Sequence, residues 1–95
     1  MEIEYLKERE FEKWISGLGP DDFAKVSHLL DVLEEAERPL DMPQGKDLKD
    51  GLWELRASGP RVYYSVTDDG AALVLNQGRK DTQTRDIALA RKRMP

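Results

Sequence analysis

The sequence predicts an α+β fold in which an N-terminal two-helix hairpin and a C-terminal helix pack on a small, curled antiparallel sheet. Three observations predict it: helical spacing of apolar residues over residues 11–33, three short strand-like runs over residues 52–77, and a second helical pattern after residue 81. A chain of 95 residues fits one domain spanning residues 1–95. The expected order of elements is β-α-α-β-β-β-α.

The chain begins with an expected edge strand, because Ile3 and Tyr5 alternate with Glu2 and Glu4. A helix follows, predicted by apolar residues at the i, i+3, i+4 and i+7 positions, namely Phe11, Trp14, Ile15 and Leu18. We expect Gly19 to end this helix.

A second helix is predicted to begin at Pro20-Asp21-Asp22, since a first-turn proline and carboxylates near the helix N-terminus are favourable. Its expected buried stripe is Phe23, Val26, Leu30 and Leu33. It should end near Glu37, because Pro39 disfavours helical geometry at Arg38. The Gly-Pro step between the two helices predicts a helical hairpin.

The segment "RPLDMPQGKDLKDG" is rich in Pro and Gly, and it predicts a crossing loop with a short strand near residues 46–49. Three strands should follow, at Leu52–Ala57, Arg61–Val66 and Ala71–Gln77. The third contains the continuous apolar run "AALVL", which is typical of a central strand covered on both faces. The last helix should be capped by Asp81 or Thr82 and should bury Ile87, Ala90 and Met94.

Composition excludes several classes of protein. There is no cysteine for a disulfide framework. The acidic N-terminus has no apolar region of a signal peptide, and no apolar run approaches the length of a membrane span, so we expect a cytoplasmic protein. The net charge is −4, but residues 1–50 hold 7 Lys/Arg and 14 Asp/Glu while residues 51–95 hold 8 and 5. This asymmetry indicates either a basic surface for a phosphate backbone or an uneven surface without a partner.

Known site motifs are mostly missing. The sequence has no Gly-rich phosphate-binding loop, and one His without Cys does not suggest a zinc site. That residue, His28, should lie at the border of the buried face of the second helix.

The remaining candidates lie on the hairpin "LWELRASGPRVYYSV". Strand alternation places Glu54 and Arg56 on one face, and the short turn brings Arg61 and Tyr63 of the next strand beside them. Two adjacent guanidinium groups need an anion between them. Glu54 would give a surface ion-pair network, whereas a bound phosphodiester would use the bidentate geometry of arginine.

The segments "DLKDGLWELRASGPRVYYSV" and "LVLNQGRKDTQTRDIALARK" resemble toxins of bacterial type II toxin–antitoxin modules. The similarity is to the RelE/ParE superfamily, and within it to the HigB-like, phage-type addiction-module killer branch. It covers the C-terminal half in detail and implies a RelE-like fold, neutralisation by a cognate antitoxin, often a helix-turn-helix protein, and no metal or other cofactor. Many members cut mRNA on the ribosome by attack of the ribose 2′-OH on the adjacent phosphate.

The resemblance also implies residue roles. Arg61 resembles the arginine set against the scissile phosphate, and Lys80 the basic residue after the central strand. Glu54 and Arg56 occupy strand positions that are basic or His in RNA-cutting relatives, and Glu54 would act as general base. Together these are the catalytic candidates, whereas Arg79, Arg85 and Tyr63 are candidates for binding RNA phosphates.

Three functions remain open after this comparison. The chain is an mRNA endonuclease, a ParE-type toxin that inhibits DNA gyrase without catalysis, or a domain that only pairs with its antitoxin. Glu54 in a position that is usually basic, and the lack of Tyr or His after Tyr64, favour the last two. The cations of the hairpin and Arg79-Lys80 favour the first.

Overall fold

A computed structural model describes residues 1–95. The elements, in chain order, are β1 (Ile3–Tyr5), α1 (Glu8–Ser16), α2 (Pro20–Glu35), β2 (Gly45–Asp47), β3 (Leu52–Arg56), β4 (Pro60–Val66), β5 (Ala72–Arg79), a 3-10 turn (Lys80–Thr82) and α3 (Gln83–Arg93). The predicted α+β fold is confirmed, and the short strand expected near residues 46–49 is β2. None of the helices combines the length and the apolar character needed to cross a bilayer.

The five strands form one open sheet in the order β1-β5-β4-β3-β2. β2, β3, β4 and β5 pair antiparallel, but β1 pairs parallel to β5, so the sheet is not wholly antiparallel as predicted. The reason is that the helical hairpin lies between β1 and the rest of the sheet, and such a long crossover allows parallel pairing. β1 is an edge strand, as its alternating pattern predicted.

The sheet has an apolar cluster on each face. The larger cluster lies under α1 and α2 and includes Phe11, Val26, Leu33, Leu55 and Val74. The smaller one lies under α3. It consists of Leu52, Tyr63, Leu75 and Ala90, with Ile87 and Met94 packed against it. Both faces of β5 are therefore covered, and the predicted inner stripe of α3 is confirmed.

The turn between α1 and α2 differs from the prediction. α1 ends at Ser16 with Gly17 as its C-cap, and Gly19 is instead the N-cap of α2, in an extended conformation at φ −64° and ψ 163°. Because α1 ends before Gly17, Leu18 and Gly19 connect this C-cap to α2. Pro20 is the first residue of α2, as predicted.

The buried stripe of α2 is centred on Val26, Leu29 and Leu33. Phe23, predicted to be core, is 46% exposed, and Leu30 is only partly buried. At 100° per residue Phe23 lies about 90° from the centre of the stripe, so it projects to the side of the helix. The sequence prediction was wrong at Phe23 because residues 23, 26, 30 and 33 fit the helical period about as well as the residues that are buried.

Arg93 at the end of α3 ties three elements together. Its guanidinium donates to the Glu10 carboxylate at 2.8 and 3.1 Å and to the Leu75 carbonyl at 2.8 Å. Gln77 donates to the same carboxylate at 3.2 Å. The pKa of Glu10 is lowered chiefly by the hydrogen bond from Arg93. α1, β5 and α3 thus meet at one ion pair.

We expect Glu10→Gln to lower the free energy of unfolding by about 0.5–1 kcal/mol at pH 7, because the pair is partly exposed. The folded-state pKa of Glu10 lies below its ordinary value of 4.5. The stabilisation is therefore fully present above pH 4.5 and is lost as the pH falls through the folded-state pKa. Urea unfolding from pH 7 to 3 should show the wild type and the variant converging. Glu12→Gln, at an exposed position of α1, is the control.

Candidate functional site

The strand register brings the predicted catalytic residues of the hairpin together. Arg56 on β3 is the cross-strand partner of Arg61 on β4, and Glu54 is the partner of Tyr63 two residues away. On the next strand, Gly78 lies opposite Arg61 and Asn76 opposite Tyr63. Glu54, Arg56, Arg61 and Tyr63, which we call the charge cluster, therefore occupy two adjacent rows of the sheet.

Glu54 lies between the two arginines. Its Oε1 is 3.6 Å from Arg61 Nε, and its Oε2 is 3.7 Å from Arg56 Nε. The Glu54 side chain has no exposed surface, Arg61 is 4% exposed, and Arg56 is 28% exposed. The sequence left a surface ion-pair network and a bound phosphodiester as alternatives at this place. The structure buries Glu54 and Arg61 and leaves Arg56 partly exposed, so the Glu54–Arg61 pair carries a desolvation cost that exposed pairs do not.

Arg61 is also an anchor of the turn between β3 and β4. Its Nη1 donates to the carbonyl oxygens of Ser58, Gly59 at 3.5 Å and Pro60 at 3.0 Å. Ser58 has a left-handed backbone at φ +68°. Carbonyl groups that converge on one guanidinium hold both the turn and the arginine in place. Arg61 therefore has a structural role independent of any substrate.

The charge cluster contains polar atoms without hydrogen-bond partners. Glu54 Oε2, Arg61 Nε and the Tyr63 hydroxyl are buried and unpaired. Burial raises the pKa of Tyr63, with the nearby Glu54 carboxylate as the second cause, so its phenol stays protonated at neutral pH. Buried polar groups are normally hydrogen-bonded, and three of the four buried side-chain atoms without a partner lie in this cluster, the fourth being the Tyr64 hydroxyl.

The first turn of α3 covers the charge cluster. Gln83 Nε2 donates to Glu54 Oε1, and Asp86 is buried beside it. Asp86 accepts from Thr82 Oγ1 at 2.5 Å, and its backbone carbonyl accepts from Asn76 Nδ2 at 3.0 Å. The 3-10 turn and α3 are thereby fixed over the cluster.

The other predicted site residues lie near the 3-10 turn and the first turn of α3. Arg79 and Lys80 are exposed and line a groove with Gly59 and Asp81 beside the turn between β3 and β4. Arg79 is held by Asp22 of α2 at 3.1 Å. Arg85 is 78% exposed, on α3. Tyr63 has no exposed surface, so it contacts no external phosphate in this arrangement.

Sequence reasoning missed Gln83 and Asp86. Both lie in the first turn of the C-terminal helix, where polar residues are ordinarily solvated or capping. The structure connects Asp86 with Gly78, because a Cβ at position 78 would lie 1.9 Å from Asp86 Oδ2. Only the packing of α3 on β5 shows that this glycine makes room for a carboxylate.

Comparison with known proteins places the chain in a family. A search of curated proteins gives no match. The family model described as "Phage derived protein Gp49-like (DUF891)" matches residues 13–95. This match covers α2, strands β2 to β5 and α3, together with the last four residues of α1. The chain therefore belongs to the Gp49-like family, a family of RelE-like toxins of toxin–antitoxin modules that have an antitoxin as their partner.

Proposed function

We propose that the protein is a metal-independent mRNA endonuclease of the HigB-like branch, which inhibits translation in the cytoplasm until its antitoxin binds. The observation that supports this most is the Glu54 carboxylate between two guanidinium groups, with Glu54 Oε2 and Arg61 Nε both lacking a hydrogen-bond partner. Glu54 Oε2 can accept a hydrogen bond and Arg61 Nε can donate one. A ribose hydroxyl next to a phosphodiester needs both, because the hydroxyl has a proton to give and the phosphate has a negative charge to stabilise.

In the proposed reaction the ribose 2′-OH attacks the adjacent phosphorus and the bond to the 5′ oxygen breaks, leaving a 2′,3′-cyclic phosphate. Glu54 accepts the proton of the 2′-OH. Arg61 and Arg56 stabilise the charge that develops on the phosphoryl oxygens. Lys80, exposed in the 3-10 turn that follows β5, binds the phosphate and protonates or stabilises the leaving 5′ oxygen. Arg79 and Arg85 bind flanking phosphates.

Substrate reaches Glu54 and Arg61 only after the side chain of Gln83 moves, because Gln83 hydrogen-bonds to Glu54 and the carboxylate has no exposed surface. Gln83 is partly exposed in the first turn of α3, so its side chain can change rotamer without moving the helix. Arg56, already 28% exposed, would make the first contact with the phosphate.

The partner that restrains the protein is proposed to be a helix-turn-helix antitoxin, and the target to be mRNA on the ribosome. Neutralisation would follow if the antitoxin covered the groove of Gly59, Arg79, Lys80 and Asp81, because it would then cover the two cations that are proposed to bind phosphate there.

The test is mapping of RNA 5′ ends across the transcriptome after brief induction, comparing the wild type with Arg61→Ala. We expect growth arrest and new 5′ ends within reading frames for the wild type, and loss of both for the variant. Loss of one such stabilising group typically lowers the rate by about 10²–10³-fold. New ends that persist in the Arg61→Ala strain would contradict the assignment.

Because Arg61 also anchors the turn, a second variant is needed. Lys80→Ala removes an exposed cation and should leave folding intact by circular dichroism while cleavage falls. Lys92→Ala, which removes an exposed cation far along α3, is the matched control and should cut as the wild type does.

A second candidate is a toxin that acts by binding alone, with DNA gyrase as the target. The complete burial of Glu54 and Tyr63 favours it, because neither side chain contacts external groups in this arrangement. Growth arrest without new RNA ends would support this candidate, and supercoiling by purified gyrase would then be measured with the toxin added. A protein causing neither arrest nor cleavage would be a domain that only pairs with an antitoxin.

A further inference from the structure

A groove with no assigned role lies between α2 and the turn joining β3 to β4. It encloses about 200 Å³ and is lined by Lys25, His28 and Leu29 of α2 and by Arg56, Ala57 and Ser58 of the hairpin. Lys25 and His28 are three residues apart, so they project from the same face of the helix. Three nitrogen-bearing side chains and a hydroxyl group thus border one small cavity, and no carboxylate does.

The nitrogen groups contributed by α2 have no partners in the protein. All ion pairs involve other residues, and neither Lys25 nor His28 participates in one. Both side chains are exposed. α2 otherwise carries Asp21, Asp22 and Asp31 as well as Glu34 and Glu35. The only basic residues of this helix therefore lie at the groove beside Arg56, rather than being scattered among its acidic positions.

The groove borders the proposed site for RNA at Arg56 and at the turn between β3 and β4. Ser58 lines it, and the next residue, Gly59, lines the groove of Arg79, Lys80 and Asp81. Arg56 belongs both to this groove and to the charge cluster. A chain of phosphates that passes over the charge cluster would have cations on both sides of it.

We propose that Lys25 and His28, with Ser58, form a second phosphate site for single-stranded RNA, which binds a phosphodiester next to the one that is cut. This inference rests on the proposed function, because it takes RNA as the ligand. The Lys25 ammonium supplies charge, and the imidazole and hydroxyl groups donate hydrogen bonds to the phosphate oxygens. Contacts of this kind position the strand without reading its bases.

The test measures binding of a single-stranded RNA that carries 2′-O-methyl groups and so cannot be cut, as a function of salt. A contact to one phosphate of a single strand contributes about 0.7 to the slope of log K against log salt. We expect Lys25→Ala to lower the magnitude of this slope by about 0.7, and Lys25→Ala/His28→Ala to weaken binding further. Lys92→Ala, which removes an exposed cation that lines no groove, should leave the slope unchanged apart from the effect of net charge.

Oligonucleotide length gives an independent readout. Lengthening the RNA until it reaches the groove should strengthen binding by the wild type, and this gain should be absent from the double variant. An identical slope and an identical gain in the wild type and the double variant would overturn the second site while leaving the proposed nuclease intact. A wild type that binds no RNA would overturn both proposals. Unchanged RNA binding with weakened antitoxin binding would assign the groove to an acidic segment of the antitoxin instead.

Discussion

Glu54→Gln is expected to destabilise the protein by about 3–5 kcal/mol, the usual result of removing one partner from a buried ion pair. The substitution keeps the shape of the side chain but removes the negative charge that lies 3.6 Å from Arg61 and 3.7 Å from Arg56. Arg61 is 4% exposed and anchored to the turn carbonyls, so it cannot turn out into water. Since small domains are stable by about 5–15 kcal/mol, a loss of this size is a large part of the total.

Urea unfolding at pH 7 measures this effect. Glu4→Gln, an exposed carboxylate on β1, is the control and should lie within about 0.5 kcal/mol of the wild type. Glu54→Leu combined with Arg61→Met should recover only part of the stability, because it removes the buried charges but also the hydrogen bonds from Arg61 to the turn carbonyls. A Glu54→Gln variant as stable as Glu4→Gln would mean that the arginines do not depend on Glu54.

Gly78→Ala is expected to cost about 1–3 kcal/mol through overpacking, and to disturb the site as well. Gly78 lies opposite Arg61 in the sheet, and a Cβ there would lie 1.9 Å from Asp86 Oδ2 and 2.8 Å from Asp86 Cγ. The carboxylate has little freedom to move, because it is buried and accepts from Thr82 Oγ1 at 2.5 Å. The first turn of α3 must therefore shift, and Gln83 shifts with it away from Glu54.

A double-mutant cycle with Asp86→Ala tests this cause. In the Asp86→Ala background, Gly78→Ala should cost less than about 1 kcal/mol, because the atoms it collides with are gone. Gly17→Ala is the matched control, since its Cβ would meet nothing nearer than 3.5 Å. Equal costs of Gly78→Ala in the two backgrounds would show that the strain arises elsewhere, in the backbone of β5.

Sequence periodicity was sufficient to predict most of the fold. The three strands predicted over residues 52–77 follow from alternation, turn residues and the apolar run of the third strand, and the inner stripe of α3 follows from residues 87, 90 and 94. These patterns are local, so they can be read without knowing the neighbours. Predictions that depend on how an element packs against the rest of the chain were less successful. Phe23 is exposed, α1 ends at Gly17 and not at Gly19, and β1 pairs parallel to β5.

For the site, the sequence by itself determined which side chains lie on the same face of the sheet and opposite one another. The two-residue period and the short turn place Arg56 opposite Arg61 with Glu54 beside them, and the register agrees. Only the tertiary structure decided that these charges are buried. Their solvation depends on α3, which begins at Gln83, some 29 residues after Glu54, and closes over them. Strand alternation assigns a side chain to a face of the sheet, but burial depends on what packs on that face, and this contact is set by the whole chain.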